Sequence, residues 1–125
     1  MYEVKRLNNI VNLDYTSRIP IYEQIVNQIE RYVALGILKP GEQIASIREM
    51  AICLGINPNT VKKAYSILDT KKIIQMYSTK GTFIADHVDL VVEEKIKELE
   101  KQIRELMQEL EDLGYTKEKI RKDLF

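Results

Sequence analysis

Residues 46–69 read SIREMAICLGINPNTVKKAYSILD and contain two helix starts in succession. At the first start, the Ser46 hydroxyl can accept a hydrogen bond from the Glu49 amide while the Glu49 carboxylate accepts one from the Ser46 amide. This reciprocal arrangement is a capping box. The apolar residues that follow predict a helix over about 47–53, and Gly55 is suited to ending it.

The second helix start lies just beyond this glycine. Asn57 is a favourable N-cap, and Pro58 suits the first helical position because that position needs no amide donor. Apolar spacing then predicts a helix to about Asp69. Two helices separated by a three-residue break that contains glycine form a helix-turn-helix pattern.

A β-hairpin is expected immediately after these helices. Residues 73–77 and 82–84 predict two short strands, and the polar residues 78–81 predict the turn between them. Ile44, upstream, is expected on a further very short strand. A helix-turn-helix followed directly by a hairpin predicts a winged helix.

The chain before this unit is less regular. Residues 1–18 predict an extended arm, with a short strand around 10–13. Apolar residues recur at helical spacing after Pro20 and Gly36 is a suitable stop, so a first helix is expected over about 20–35.

Beyond residue 88 the pattern changes to that of a coiled coil. Seven apolar residues follow alternating steps of four and three: Val92, Ile96, Leu99, Ile103, Leu106, Leu110 and Leu113. We expect a helix over about 89–113 that ends at Gly114, and a last short helix capped by Thr116. The apolar seam could pack back on its own domain, but its charged flanks favour a partner helix, most simply that of a second copy.

Together these patterns predict a mostly α-helical chain with a small β-hairpin. A winged helix-turn-helix domain is expected over 1–87, arm included, and a helical dimerisation tail over 88–125. The 125 residues carry no net charge, but the first segment has 11 basic and 8 acidic side chains whereas the tail has 8 and 11. Only the first segment is therefore suited to a polyanion.

Composition excludes several classes of function. One cysteine and one histidine exclude a disulfide framework and a Cys/His zinc site within one chain. No catalytic motif, phosphate loop or metal-ligand set is visible, so we expect no enzyme activity, metal or cofactor. No apolar run suits a membrane span or a secretory signal, and a lone thiol fits a reducing cytoplasm.

Several residues with reactive or aromatic side chains are expected to be structural. Met50 and Cys53 fall in an apolar helix and are expected in the core, together with Tyr22, Tyr32 and Tyr65.

The start of the second helix of the pair carries residues suited to DNA. In helix-turn-helix proteins this end enters the major groove, where amides and hydroxyls read base edges and cations bind phosphate. The candidates are Asn57, Asn59, Thr60, Lys62 and Lys63. Asn57 has the alternative role of a plain N-cap. Lys62 and Lys63 could alternatively form a solvated face. We expect one of the two to touch phosphate, but not both to read bases.

Two neighbouring segments add candidates. Arg48 can bind phosphate or guanine, or pair with a nearby glutamate instead. Ser46 can offer its hydroxyl or amide to phosphate, although capping is its stronger role. In the hairpin turn, small, polar or basic residues suit a close approach to the DNA backbone or minor groove, or simply an ordinary turn: Thr79, Lys80, Gly81 and Thr82.

Taken in order, these motifs resemble those of the GntR family of winged-helix transcription regulators. The resemblance covers about residues 12–87 and rests on five segments: PIYEQI (20–25), GILKPGEQI (36–44), SIREMA (46–51), LGINPNTVKKAY (54–65) and KGTFI (80–84). The Asn-Pro-Asn-Thr-Val stretch and the short tail are similar to the YtrA branch of the family. The resemblance implies DNA contacts for Arg48, Thr60 and Lys62, and a wing-tip position for Gly81.

The chain also departs from the family pattern. Ile44 and Ala45 stand where Ala-Pro or Leu-Pro is common, Pro58 stands where many members have arginine, and Thr79 replaces the first wing glycine. Only 38 residues follow His87, too few to enclose an effector pocket in one chain. A small effector would instead use a groove between two dimer tails.

The leading hypothesis is a homodimeric, cytoplasmic, bacterial transcription regulator, most simply a repressor. It would bind double-stranded DNA at a pseudo-palindromic operator. The resemblance implies an operon that encodes a transporter. The alternative is a winged-helix protein-interaction module that acts through its C-terminal helix.

Overall fold

A computed structural model describes residues 11–125. Its helices are α1 (Ile21–Ala34), α2 (Ile47–Leu54), α3 (Pro58–Thr70), α4 (Val88–Asp112) and α5 (Lys117–Leu124), and its strands are β1 (Gln43–Ile44), β2 (Ile74–Tyr77) and β3 (Gly81–Ile84). The predicted fold class is confirmed, because a helix-turn-helix is followed by a small antiparallel sheet and a long C-terminal helix. Within the described part of the chain, no helix combines the length and apolar character that crossing a bilayer requires.

The chain divides into two compact units. The first ends at Val91 and the second is Val92–Phe125. The boundary expected after His87 lies one helical turn earlier. Helix α4 begins in the first unit and continues into the second.

The segment before α1 is held by side chains rather than by strand pairing. The Gln28 side chain accepts from the Asn12 amide at 2.8 Å and donates to its carbonyl at 2.6 Å. The Gln24 side chain likewise accepts from the Asp14 amide at 2.8 Å and donates to the Asp14 carbonyl at 2.9 Å. The strand predicted around 10–13 is therefore wrong for residues 11–13, because glutamines one helical turn apart replace a neighbouring strand. Residue 10 and the earlier part of the predicted arm lie outside the described residues.

The core of the first unit forms where α3 packs against both α1 and α2. Helices α1 and α3 bury residues at three- and four-residue spacing, which places them on one face, and α2 buries the adjacent pair Met50 and Ala51. The buried set includes Ile25, Ile29, Val33, Met50, Ala51, Val61, Ala64, Tyr65 and Leu68. Tyr65 is fully buried, and its hydroxyl donates to the Ala45 carbonyl at 2.7 Å. This bond ties α3 to the residue that precedes the capping box of α2.

The predicted hairpin is confirmed and joins a third strand. The strands are antiparallel in the order β1-β3-β2, so β3 is central. Phe83 lies opposite both Gln43 and Gln75, and Tyr77 lies opposite Gly81. Gly81 is therefore the first residue of β3 rather than the last residue of the turn.

Some residues expected in the core lie elsewhere. Met50 and Tyr65 are buried as expected, but Cys53 is exposed. At about 100° per residue, Cys53 lies about 110° from the midpoint between Met50 and Ala51 and so leaves the buried face. Tyr22 and Tyr32 are only half-buried.

The second unit carries the predicted apolar seam, which runs along α4 and ends at Leu113, the residue after that helix. Five of its seven residues are exposed: Ile96 by 50%, Leu99 by 44%, Ile103 by 52%, Leu106 by 60% and Leu113 by 83%. Val92 and Leu110 are half-buried. The Thr116 hydroxyl accepts from the Lys119 amide, which confirms the predicted cap of the last helix.

Candidate nucleic-acid interface

The start of α2 is a complete capping box. The Ser46 hydroxyl accepts from the Glu49 amide at 3.1 Å, and the Glu49 carboxylate accepts from the Ser46 amide at 3.1 Å. The Ser46 amide is thus already occupied, and its hydroxyl retains its donor and one acceptor lone pair, of which the donor is the group that suits a phosphate. Arg48, two residues later, is exposed and forms no ion pair with any residue in 11–125.

The start of α3 is capped by Asn57. Its side-chain oxygen accepts from the Asn59 amide at 2.8 Å, and Pro58 occupies the first turn. The capping role proposed as an alternative for Asn57 is therefore present. It uses only the oxygen, so the amide NH₂ remains a potential donor. Asn57 and Asn59 are exposed and Thr60 is half-buried.

The two lysines of α3 differ in their surroundings although both are exposed. The Lys63 ammonium lies 4.0 Å from the centroid of the Tyr22 ring on α1, a cation–π distance. Lys62 has no such ring and no carboxylate partner among the described residues. Sequence reasoning assigned Tyr22 to the core and missed this contact, because the two residues are distant in the chain.

The wing is the hairpin that joins β2 to β3. The Lys80 ammonium lies 5.9 Å from the centroid of the Tyr77 ring, and Tyr77 packs edge-on against Phe83 with the centroids 5.8 Å apart. Thr79 and Lys80 are exposed. Thr82 is only 5% exposed, so its expected presentation to DNA at the wing tip is wrong for the side chain. The reason is the strand alternation, which turns Thr82 toward the covered face of the sheet.

Gly81 is required by the wing itself. Its φ of +111° is a backbone conformation that residues with a side chain rarely adopt, and an added Cβ would lie 2.8 Å from the Gln43 side-chain nitrogen. The glycine lets the start of β3 approach β1 closely. Its role in the structure is therefore conformational.

An open cleft of about 500 Å³ lies between the start of α2 and the wing. The structure brings six predicted site residues together here: Ser46, Arg48, Thr79, Lys80, Gly81 and Thr82. Ile47, Met76, Tyr77 and Ser78 complete the lining and were missed by sequence reasoning. The candidates on α3 do not line this cleft. The candidate interface thus has two parts, the cleft and the exposed start of α3.

The Tyr65 hydroxyl, which donates to Ala45 next to the capping box of α2, stays protonated. Burial, with a smaller contribution from the negative charge of Glu49, raises the pKa of Tyr65 far above its ordinary value. The Tyr65 hydroxyl therefore remains a donor to Ala45 throughout the physiological range. Residues 11–125 contain no cluster of three histidine, cysteine or acidic side chains arranged to hold a metal ion.

The model of the family described as "Bacterial regulatory proteins, gntR family" matches residues 21–84, just over half of the chain. The chain belongs to the GntR family. The matched segment runs from α1 through β3 and so contains the helix-turn-helix and the wing. The predicted resemblance is confirmed.

A curated relative supports a finer placement within the GntR family. The chain is 36% identical over 112 residues to the HTH-type transcriptional repressor YtrA of Bacillus subtilis (strain 168), covering 89% of this chain and 86% of the relative. The similarity thus extends beyond the winged helix into the tail. This agrees with the predicted YtrA-like branch.

Solved structures of two proteins that their titles place in transcription control are similar to this chain. A transcriptional regulator from Oenococcus oeni is 35% identical with a TM-score of 0.69, over 88% of this chain and 92% of that chain. A protein titled transcriptional antiterminator from Listeria monocytogenes EGD-e is 43% identical with a TM-score of 0.64, over 89% and 84%. The protein is a DNA-binding transcription regulator of the GntR family, and the expectation that it is not an enzyme is confirmed by this membership.

Proposed function

We propose that the protein is a homodimeric repressor that binds a pseudo-palindromic operator. The observation that carries this proposal is the juxtaposition of Arg48 and the wing in one cleft, beside a helix whose exposed start carries amides and lysines. This arrangement suits a duplex, because one helix can enter the major groove while cations on either side bind phosphate.

The DNA contacts are divided between the two parts of the interface. Asn57, Asn59 and Thr60 would face base edges, since their amides and hydroxyl can both donate and accept. Lys62 and Lys63 would bind the backbone beside them. Arg48, Ser46, Thr79, Lys80 and Gly81 would follow the flanking backbone from the cleft. For Thr82 only the backbone is available, because its side chain is buried.

The exposed seam on α4 supports a dimer formed by two copies of the tail. A leucine or isoleucine gains up to about 1.5–3 kcal/mol when it moves from water to a fully buried position. Five such side chains from each copy would exceed the cost of bringing two helices together. A two-fold dimer would present two α3 helices to successive major grooves.

The direction of regulation and the target come from similarity. The B. subtilis relative is named a repressor, and its similarity covers most of both chains. A dimer seated on an operator would block RNA polymerase. The YtrA-like branch suggests that the operon encodes a transporter. A bacterial regulator that binds chromosomal DNA acts in the cytoplasm.

The primary test is fluorescence anisotropy with a labelled duplex from the region upstream of the protein's own gene. Random duplex of equal length is the competitor, and titrations are made at two salt concentrations. Arg48→Ala should weaken binding and reduce the salt slope by about 0.9 if Arg48 binds one phosphate. Lys101→Ala also removes one positive charge, but from the face of α4 opposite the apolar seam. It should leave the affinity and the salt slope unchanged.

The assay has two outcomes that contradict the proposal. Equal, weak binding of both duplexes, repeated after selection from a random DNA library, would remove sequence-specific recognition. Unchanged affinity and salt slope in Arg48→Ala would remove Arg48 from the contact surface.

The dimer is tested separately by sedimentation. Leu99→Asp with Leu106→Asp places two acids in the seam, whereas Lys101→Asp with Gln108→Asp places two at the same spacing on the opposite face. We expect the first pair to yield monomers that lose tight operator binding and the second pair to remain dimeric. A wild-type monomer would instead favour the alternative function, in which the seam recruits a helix of another protein.

A further inference from the structure

Two lysines of the candidate interface, Lys63 and Lys80, lie on aromatic rings rather than beside carboxylates. The Lys63 ammonium of α3 lies 4.0 Å from the Tyr22 ring centroid on α1. Lys80 repeats the arrangement at 5.9 Å over Tyr77 in the wing. Among residues 11–125, neither lysine has an acidic side chain within ion-pair distance.

This choice of partner matters for a surface that must bind an anion. A carboxylate would hold a lysine in place but would also cancel its charge. A tyrosine ring attracts the ammonium through its quadrupole and leaves the net charge unchanged. The N–H groups on the outer side of the ammonium also stay available as donors.

The ring also reduces the entropic cost of binding. A lysine side chain without a fixed partner loses much of its rotational freedom when it binds a phosphate. Lys63 is already confined by Tyr22 before DNA arrives, whereas its neighbour Lys62 has no ring to hold it. Adjacent residues on a helix lie about 100° apart, so the two lysines serve different directions.

We propose that Tyr22 is a positioning residue for DNA binding, which holds the Lys63 ammonium at the junction of α1 and α3 as a preorganised phosphate contact. The proposal rests on the proposed function. It assigns the positioning role to the aromatic ring of Tyr22 and not to its hydroxyl. It also separates Lys63 from Lys62, which has no ring contact among the described residues.

Four variants test this assignment in the anisotropy assay: Tyr22→Phe, Tyr22→Leu, Lys63→Ala and the double variant Tyr22→Leu with Lys63→Ala. Tyr22→Phe keeps a ring and should bind with wild-type affinity. Tyr22→Leu should bind about two- to fivefold more weakly, the range expected for an exposed cation–π contact. Its salt slope should match the wild type, because the lysine charge remains.

Lys63→Ala and the double variant test whether Tyr22 acts through Lys63. Lys63→Ala should lower the affinity and also reduce the salt slope by about 0.9, because one phosphate contact is lost. In that background, Tyr22→Leu should have no further effect, since there is no ammonium left to position. A structural role of Tyr22 would weaken binding equally in both backgrounds and would overturn the proposal.

Two further results would also overturn it. If Tyr22→Phe is as weak as Tyr22→Leu, the hydroxyl makes the contact instead. If Tyr22→Leu binds like the wild type while Arg48→Ala has lost binding, the regulator function stands and only the role of Tyr22 fails. Loss of detectable specific binding by the wild type would instead be a failure of the proposed function.

The contact itself can be measured without DNA. Proton NMR of the full-length protein should show the ε-methylene protons of Lys63 shifted upfield by the ring current of Tyr22. The shift should persist in Tyr22→Phe and vanish in Tyr22→Leu. Ordinary lysine shifts in the wild type would refute the proposal directly. Amide spectra of the same samples confirm that the variants are folded.

Discussion

Replacing Tyr65 by phenylalanine removes a single hydroxyl from the support beneath the candidate interface. That hydroxyl donates to the Ala45 carbonyl at 2.7 Å, and both residues are 0% exposed. No other hydrogen bond to the Ala45 carbonyl is present within the described chain. The variant therefore leaves a buried acceptor without a partner while keeping the aromatic packing.

The expected cost follows from this geometry. A buried acceptor deprived of its donor costs about 1–3 kcal/mol, more than the net worth of an ordinary hydrogen bond. Tyr65→Phe should therefore lower the free energy of unfolding by about 1–3 kcal/mol, because water cannot replace the donor in the packed core. Urea unfolding at fixed protein concentration measures the change, and the slope with denaturant should stay constant.

Tyr77→Phe is the matched control. Its hydroxyl donates to the Gln75 side chain at 3.1 Å on the exposed face of the wing, where water can replace the partner. Its effect should stay within about 0.5 kcal/mol. Equal stability of the two variants would refute the reasoning that burial of the Ala45 acceptor makes the Tyr65 hydroxyl important.

Two further changes probe the wing and the segment before α1. Gly81→Ala should destabilise the protein by about 1–3 kcal/mol through backbone strain at φ +111°, added to the close approach to Gln43. Gly55→Ala, at φ +66° with open space around it, should cost less in the same urea titration, and a larger cost there would contradict the argument. Gln24→Ala should speed proteolysis before α1, because the three backbone hydrogen bonds of this side chain, two of them to Asp14, are lost. Unchanged cleavage would show that the segment is held by other contacts.

Much of the local architecture could be predicted from the sequence alone. The capping box at Ser46, the stop at Gly55 and the N-caps at Asn57 and Thr116 involve groups within a few residues of one another. Their chemistry is therefore visible in the order of residues. Helical periodicity likewise identified α1 to α4 because it places the apolar side chains on one face of each helix. The order of these signals was enough to indicate the winged helix and its family.

Strand alternation was harder to apply in so short a hairpin. Gly81 and Thr82 were both assigned to the exposed wing, yet one begins β3 and the other is buried. A shift of one residue in register exchanges the two faces of a strand. A four-residue strand contains too few residues for the sequence to show which of them face the core.

The sequence by itself determined the order of elements, the caps and the apolar seam of the tail. These features depend on neighbours within one or two turns of the chain. The tertiary structure alone decided that Lys63 meets Tyr22, that Arg48 shares a cleft with the wing, and that Gln24 holds the segment before α1. The physical reason is that each of these arrangements brings together residues from separate segments of the chain. Their distances are set by how the helices and the sheet pack together, which no local pattern records.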